Sequence, residues 1–167
     1  MMAALRIRHG FSLTEVMVAL GVFGAVVGAV VPAVIMCQRS WVMTSVQLQA
    51  AQRSSAALER LVYGVGLQYG LRSAVSTTVV FTAGTDWRVA YRDVVGNSNS
   101  FRYISANRQL VYYGLTATGG SVVGDCIATA TASNTAHGLW LSVTADAQEG
   151  RFSWTNTMTT FISYRNN

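Results

Sequence analysis

No lysine occurs anywhere in these 167 residues, and charged side chains make up only 11% of them. All twelve basic residues are therefore arginines. Set against seven acids they leave a formal charge of +5, a balance too weak to argue nucleic-acid binding from charge alone. The arginines at positions 39, 53, 60, 72, 88, 92, 102 and 108 are dispersed in the sequence, the pattern of a solvated surface. Histidine is nearly absent too. His9 and His137 are the two present, and neither C-x-x-C nor H-E-x-x-H surrounds them, so no catalytic or metal-binding set converges and no enzyme or cofactor is expected. Asp146 and Glu149 fall far short of the six to eight oxygens a calcium ion takes, so no metal is expected there. Two cysteines, Cys37 and Cys126, allow one disulfide, but they stand too far apart in sequence for proximity to be inferred.

Charge is most conspicuously missing between Val16 and Cys37, 22 consecutive residues without an ionisable acid or base of the Asp, Glu, Lys or Arg type. As a helix this run extends roughly 33 Å, enough to cross the ~30 Å hydrocarbon layer of a bilayer. Glu15 stands at its entrance. A carboxylate at such depth costs on the order of 2.5–3.5 kcal/mol by insertion scales, so it calls for a partner and a function. Arg6 and Arg8 precede the run, and the positive-inside bias keeps them in the cytoplasm while sending the following residues across; Arg39 is the nearby exception.

The first ten residues, ending His9-Gly10, form a basic leader without an apolar core. A plain signal anchor accounts for Arg6, Arg8 and the apolar run but leaves Glu15 unexplained. A conventional signal peptide cut after Ala33 places Glu15 inside a region that should be apolar. A lipoprotein signal ending at Cys37 needs a small residue before it, where Met36 stands.

The stretch Gly10-Phe11-Ser12-Leu13-Thr14-Glu15, with the apolar run behind it, resembles the prepilin signal of type IV pilins and type II secretion pseudopilins. The resemblance implies that a membrane-embedded peptidase cuts between Gly10 and Phe11 and methylates the new amine of Phe11. It implies that the apolar helix is retained and that Glu15 serves subunit assembly by neutralising a neighbouring subunit's N-terminus. Pro32, the only proline, stands 22nd in the processed chain as is common in that family, and implies a helix kink or local unwinding. Gly21, Gly24, Gly28 and Ala29 fit close helix contact. The closing Arg165-Asn166-Asn167 resembles the ends of minor pilins and J-type pseudopilins.

Beyond Pro32, Trp41, Leu48, Ala51, Leu58 and Val62 recur at three- and four-residue spacing, with Ser45 and Ser55 in the gaps. This predicts one continuous helix from Phe11 to about Leu67, ended by Gly64, Gly66 and Gly70, whose outer half packs on a head. Strands are expected at 76–81, 87–92, 101–105, 110–113, 139–143, 151–154 and 160–164, with turns at 96–100 and 146–150 and a long loop over 116–138. Trp87, Trp140 and Trp154 read as core or strand-face residues.

The expected fold is α+β: a long N-terminal helix on an antiparallel sheet, in the order leader (1–10), transmembrane and filament-core helix (11–37) and periplasmic head (38–167). The resemblance implies a minor pseudopilin of a type II secretion system, a single-pass protein of the bacterial inner membrane. Its partners are then prepilin peptidase, sibling pilins or pseudopilins and an inner-membrane assembly platform. The alternative is a minor type IV pilus or competence pilin whose head contacts DNA or a surface; clustering of Arg72, Arg88, Arg92 and Arg102 on one face would favour it.

Overall fold

The computed structural model describes residues 12–66, 68–83, 85–114 and 119–163. The expected ends of the chain, Gly10-Phe11 and Tyr164 to Asn167, lie outside them. One helix, α1, spans Leu13–Tyr63, and the chain divides into two units at Trp41/Val42. In the first unit every described side chain up to Trp41 is exposed. The helix is long and apolar enough there to cross a membrane, with a mean hydropathy of 2.5 over its most apolar window. It continues through Pro32 without a break in helical assignment, so the unwinding expected there is not seen.

The second unit starts within the same helix. Its buried side chains are Val46, Ala50, Ser54, Ala57, Leu58 and Leu61, spaced so that they share one face at 3.6 residues per turn. This corrects the stripe expected from sequence. Trp41 is 78% and Leu48 59% exposed, Ala51 and Val62 are half-buried, and only Leu58 of that set is buried. The physical reason is position on the helix: Val46, Ala50, Ser54, Ala57 and Leu61 share one face, and Leu48, two residues from both Val46 and Ala50, falls on the opposite side. Ser54 meets its polar demand by donating to the Ala51 carbonyl (3.0 Å) and accepting from Asn156 Nδ2 (2.7 Å). Arg53 and Arg60 flank this face and donate to the carbonyls of Asp146 (2.9 Å) and Val123 (2.7 Å).

Gly64 ends the helix. Its φ of +103° is a conformation open to glycine, and a Cβ there would sit 1.9 Å from the Gln68 carbonyl oxygen. Its N–H donates to Arg60, and that of Gly70 to Tyr63, closing the last turn at Tyr63 rather than Leu67.

Two antiparallel meanders follow a short 3-10 turn at Leu71–Ser73. The first runs β1 (Ser76–Ala83), β2 (Asp86–Arg92), β3 (Ser98–Ile104), β4 (Gln109–Tyr113), β5 (Ser121–Gly124), in that spatial order. The second runs β6 (Ile127–Thr135), β7 (Gly138–Glu149), β8 (Phe152–Ser163). Period-two alternation sorts their side chains. Trp87, Val89, Tyr91, Phe101, Tyr103, Leu110 and Tyr112 from the first sheet meet Ala130, Ala132, Leu139, Leu141 and Val143 from the second in one core with Leu58 and Leu61. Polar tips on this core find backbone partners across it. Trp87 Nε1 donates to the Ala130 carbonyl (2.7 Å), and the Tyr103 hydroxyl to those of Ala128 (3.0 Å) and Ile127 (3.2 Å). Burial raises the Tyr91 and Tyr103 hydroxyls above the ordinary tyrosine range.

Four expectations need correction. The long loop over 116–138 contains the whole of β5 and β6; within Ile127-Ala128-Thr129-Ala130-Thr131-Ala132-Ser133 the inward residues after Ile127 are alanines, too small to register as an apolar run. Residues 146–149 are no turn but the end of β7, because Ala145 and Ala147 continue its buried alternation, and the reversal falls at Gly150-Arg151. The last two expected strands are one, β8, paired with β7 at twelve consecutive positions. Ser98, Asn99 and Ser100, expected in a turn, belong to β3, because the reversal is made earlier, over 93–97, by Asp93, whose carboxylate accepts from the N–H groups of Val95 (3.0 Å) and Asn97 (2.8 Å).

The inward face of the helix can be checked by substitution. Leu61→Ala removes a fully buried side chain and is expected to cost about 2–5 kcal/mol, whereas Leu48→Ala should stay within about 0.5 kcal/mol. Denaturant titration of the full chain in detergent, followed by tryptophan fluorescence, measures both; equal losses would contradict this packing.

Candidate processing and assembly site

The helix begins with a reciprocal cap. Ser12 is non-helical, yet its carbonyl accepts the first intrahelical bond from Val16 N–H (3.2 Å), which makes it the N-cap. Its hydroxyl accepts the Glu15 N–H at 3.3 Å, and Glu15 Oε2 accepts the Ser12 N–H at 3.3 Å and lies 3.4 Å from the Ser12 hydroxyl. Ser12-Leu13-Thr14-Glu15 is thus a capping box, S-x-x-E, in which each partner satisfies a donor the helix end would otherwise leave open. The Thr14 hydroxyl lies 2.9 Å from that of Ser12. This arrangement was legible in the sequence from the S-x-x-E spacing ahead of an apolar run, but the unusual charge drew attention to Glu15 alone. A carboxylate in the first helical turn also faces the positive end of the helix dipole. Glu15 is therefore held within its own chain as well as being exposed to others.

Gly10 and Phe11, the residues expected to be cleaved and methylated, lie outside the described residues. Pro32 sits mid-helix with no N–H to return to the Gly28 carbonyl. At Gly21, Gly24 and Gly28 an added Cβ would meet nothing within 4 Å, so these positions form open notches on an exposed helix.

The residues considered for chemistry in the head are engaged otherwise. Asp146 forms an ion pair with Arg108, which raises the arginine further, and Glu149 Oε2 accepts from the Ser45 hydroxyl (3.3 Å). Among the described residues no three His, Cys, Asp or Glu side chains gather in one place. His137 occupies the two-residue turn between β6 and β7. Cys37 and Cys126 are both free thiols. Trp87 is fully buried, while Trp140 and Trp154 are half exposed on β7 and β8, Trp140 packing on Phe161 with ring centroids 5.0 Å apart.

The arginines divide. Arg88 and Arg102 are direct cross-strand partners on β2 and β3, and Arg92 follows on the same face, opposite Ser98. Arg72 stands apart on the 3-10 turn, its guanidinium 5.5 Å from the centre of the Tyr63 ring and bonded to that hydroxyl at 3.3 Å. Asp86 closes one end of the arginine face. Hydrogen bonds from the Ser105 hydroxyl and N–H, aided by the Arg102 charge, hold its carboxyl below the usual range. Among the described residues the Arg108–Asp146 pair is the one salt bridge within 4 Å, so Arg88 and Arg102 share the face without a contacting carboxylate.

No curated protein and no solved structure matches the chain. Residues 5–31 match the family model of the prokaryotic N-terminal methylation motif, a span that contains Gly10, Phe11, Ser12 and Glu15 and runs on into the apolar helix. The chain therefore carries a type IV pilin-like prepilin signal at the start of a membrane-length helix.

Proposed function

We propose that this chain is a minor pseudopilin of a type II secretion system, working by assembly and not by catalysis. In this reading residues 1–10 are a leader removed by prepilin peptidase, 11–37 the membrane and filament-core helix, and 38–167 a periplasmic head. The match to the methylation motif, continued by an uncharged helix, is the observation that carries it. The processed subunit waits in the inner membrane and is drawn by the assembly platform into a pseudopilus with sibling subunits. Glu15 then neutralises a neighbour's terminal ammonium, offsetting the burial of both charges and fixing axial register. The open notches at Gly21, Gly24 and Gly28 suit close contact with neighbouring helices. The minor assignment draws on the head, which has neither an acidic calcium loop nor a pair of C-terminal cysteines of the sort that stabilise many major subunits.

A second reading, a minor pilus or competence subunit whose head contacts DNA, is favoured by the placement of Arg88, Arg92 and Arg102 on one sheet face. Like charges opposed across two strands weaken a sheet by a few tenths of a kcal/mol to about 1 kcal/mol, and a phosphate backbone would relieve that repulsion.

Intact-mass analysis of the membrane-extracted protein should show a chain that starts at Phe11 and carries one added methyl group. A start at Val34 or a lipid on Cys37 would remove the prepilin reading altogether.

Glu15→Ala should leave cleavage and insertion intact but impair incorporation into filaments, because it removes both an insertion penalty and a neighbour's charge partner. Site-specific cross-linking to sibling subunits in membranes reads this out, and unchanged assembly would contradict the role given to Glu15.

For the second reading, the Arg88→Gln, Arg102→Gln double variant should lose most DNA binding in fluorescence anisotropy at low salt, with the salt slope of the wild type about two units steeper. Absence of wild-type binding leaves the secretion reading alone in place.

A further inference from the structure

We infer that Arg39 and Trp41 form an interfacial anchor: they bind the phosphate and ester layer of a lipid surface just beyond the uncharged run, and so fix how deep the helix sits. This role rests on the reading of 11–37 as the membrane span and gives a task to two residues that the reading leaves idle. The sequence pattern puts Trp41 on the head, but the structure leaves it open. It is 78% exposed, whereas Val42 beside it is half-buried and packs against the cluster of Val46, Ala50 and Ala147. Arg39 is exposed as well, and among the described residues no carboxylate lies within 4 Å of it.

Length says what covers them. From Val16 to Cys37 the helix rises roughly 33 Å, enough to fill the ~30 Å hydrocarbon layer of a bilayer. Arg39 and Trp41 stand about 3 and 6 Å further along the axis, within the roughly 5–7 Å that each headgroup layer adds. Direction agrees with length. Val30, Val34, Cys37 and Trp41 succeed one another at four- and three-residue steps and are all exposed, so Trp41 ends an apolar stripe that begins inside the span. An indole in that place lays its ring against acyl chains while its N–H, which has no partner among the described residues, donates to an ester or phosphate oxygen. The Arg39 guanidinium suits the same layer, because its stem can lie along apolar surface while its planar fork meets a phosphate. Its positive charge on the far side of the span, contrary to the usual bias, is then balanced by lipid.

Two fixed points therefore bracket the span. Glu15 marks one surface and the Arg39–Trp41 pair the other. A slide of one turn, ~5.4 Å, in one direction would draw Arg39 into hydrocarbon; in the other it would draw in Glu15 and lift Trp41 into water. The helix is held at one depth, and assembly has to release this hold when it draws the subunit out of the membrane.

The test uses the full chain in vesicles of phosphatidylethanolamine and phosphatidylglycerol with no other protein, beside its Trp41→Phe variant. The chain has four tryptophans, and the difference between the two proteins isolates the emission of Trp41. That difference should lose about twice as much intensity to lipids brominated next to the headgroup as to lipids brominated at the acyl terminus, since these depths differ by about half the ~30 Å hydrocarbon layer. It should resist iodide supplied on both faces of the vesicle. Arg39→Glu, which sets a carboxylate among phosphates, should move Trp41 outward, so that quenching passes from the headgroup-brominated lipid to iodide. Strong iodide quenching of the unmodified chain overturns the anchor, as does a maximum at the acyl terminus or an unchanged profile in Arg39→Glu. Shielding of Trp41 that arises only when sibling subunits are added overturns it too, and assigns the residue to a protein contact. A chain that fails to float with the vesicles is a different result: it removes the membrane span itself, whereas a floating chain with Trp41 in water removes the anchor alone.

Discussion

A single carboxylate at the mouth of an uncharged helix sets the terms for the N-terminal unit. Glu15 cannot be placed near lipid without compensation, and compensation is available from two directions. Within the chain, the Ser12 N–H and hydroxyl donate to its carboxylate, which stands at the positive end of the helix dipole. Between chains, a newly made N-terminal ammonium can do the same at shorter range and with a full charge. In the proposed reading the first is a resting arrangement and the second an assembled one. They differ by replacement of weak, long hydrogen bonds with an ion pair, a change that can favour assembly without requiring a different fold.

The head obeys another constraint, close approach of a helix to two sheets. Small residues at Ala50, Ser54 and Ala57 let the helix backbone approach, and the bulk that fills the core comes from the aromatic strands instead. Trp87, Tyr91 and Tyr103 each bring a polar tip into that core, and each tip reaches a backbone carbonyl outside its own sheet. A buried donor left open would cost about 1–3 kcal/mol, so the Trp87 and Tyr103 bonds to β6 also select one way of stacking the two meanders over others of equal apolar burial.

What could be read from sequence follows from how strongly each feature is patterned. The membrane-length run, Glu15 and the prepilin resemblance rest on individual residues at fixed spacing, and the alternation of Trp87, Val89 and Tyr91 left little doubt about β2. The helix face is hard to read because its inward set mixes Val46, Leu58 and Leu61 with Ala50, Ser54 and Ala57, while Trp41 and Leu48 are large, apolar and exposed. β6 was missed for a related reason, since Thr and Ala alternate there without a large side chain after Ile127 to reveal the period. The capping box is present in the sequence as S-x-x-E, but the charge of Glu15 overshadows the part played by Ser12.

The contrast between the two units also explains why one part of the chain matches a family model while no curated protein or solved structure matches the whole. At the N-terminus, single atoms matter: the Ser12 hydroxyl and the Glu15 carboxylate each make bonds that a different side chain would not. In the head, the requirement is an apolar residue of about the right size at every second position, and cores tolerate many such solutions provided volume and pattern are kept. A head built on period alone is free to vary its outer face, and that is the face on which Arg88, Arg92 and Arg102 are displayed.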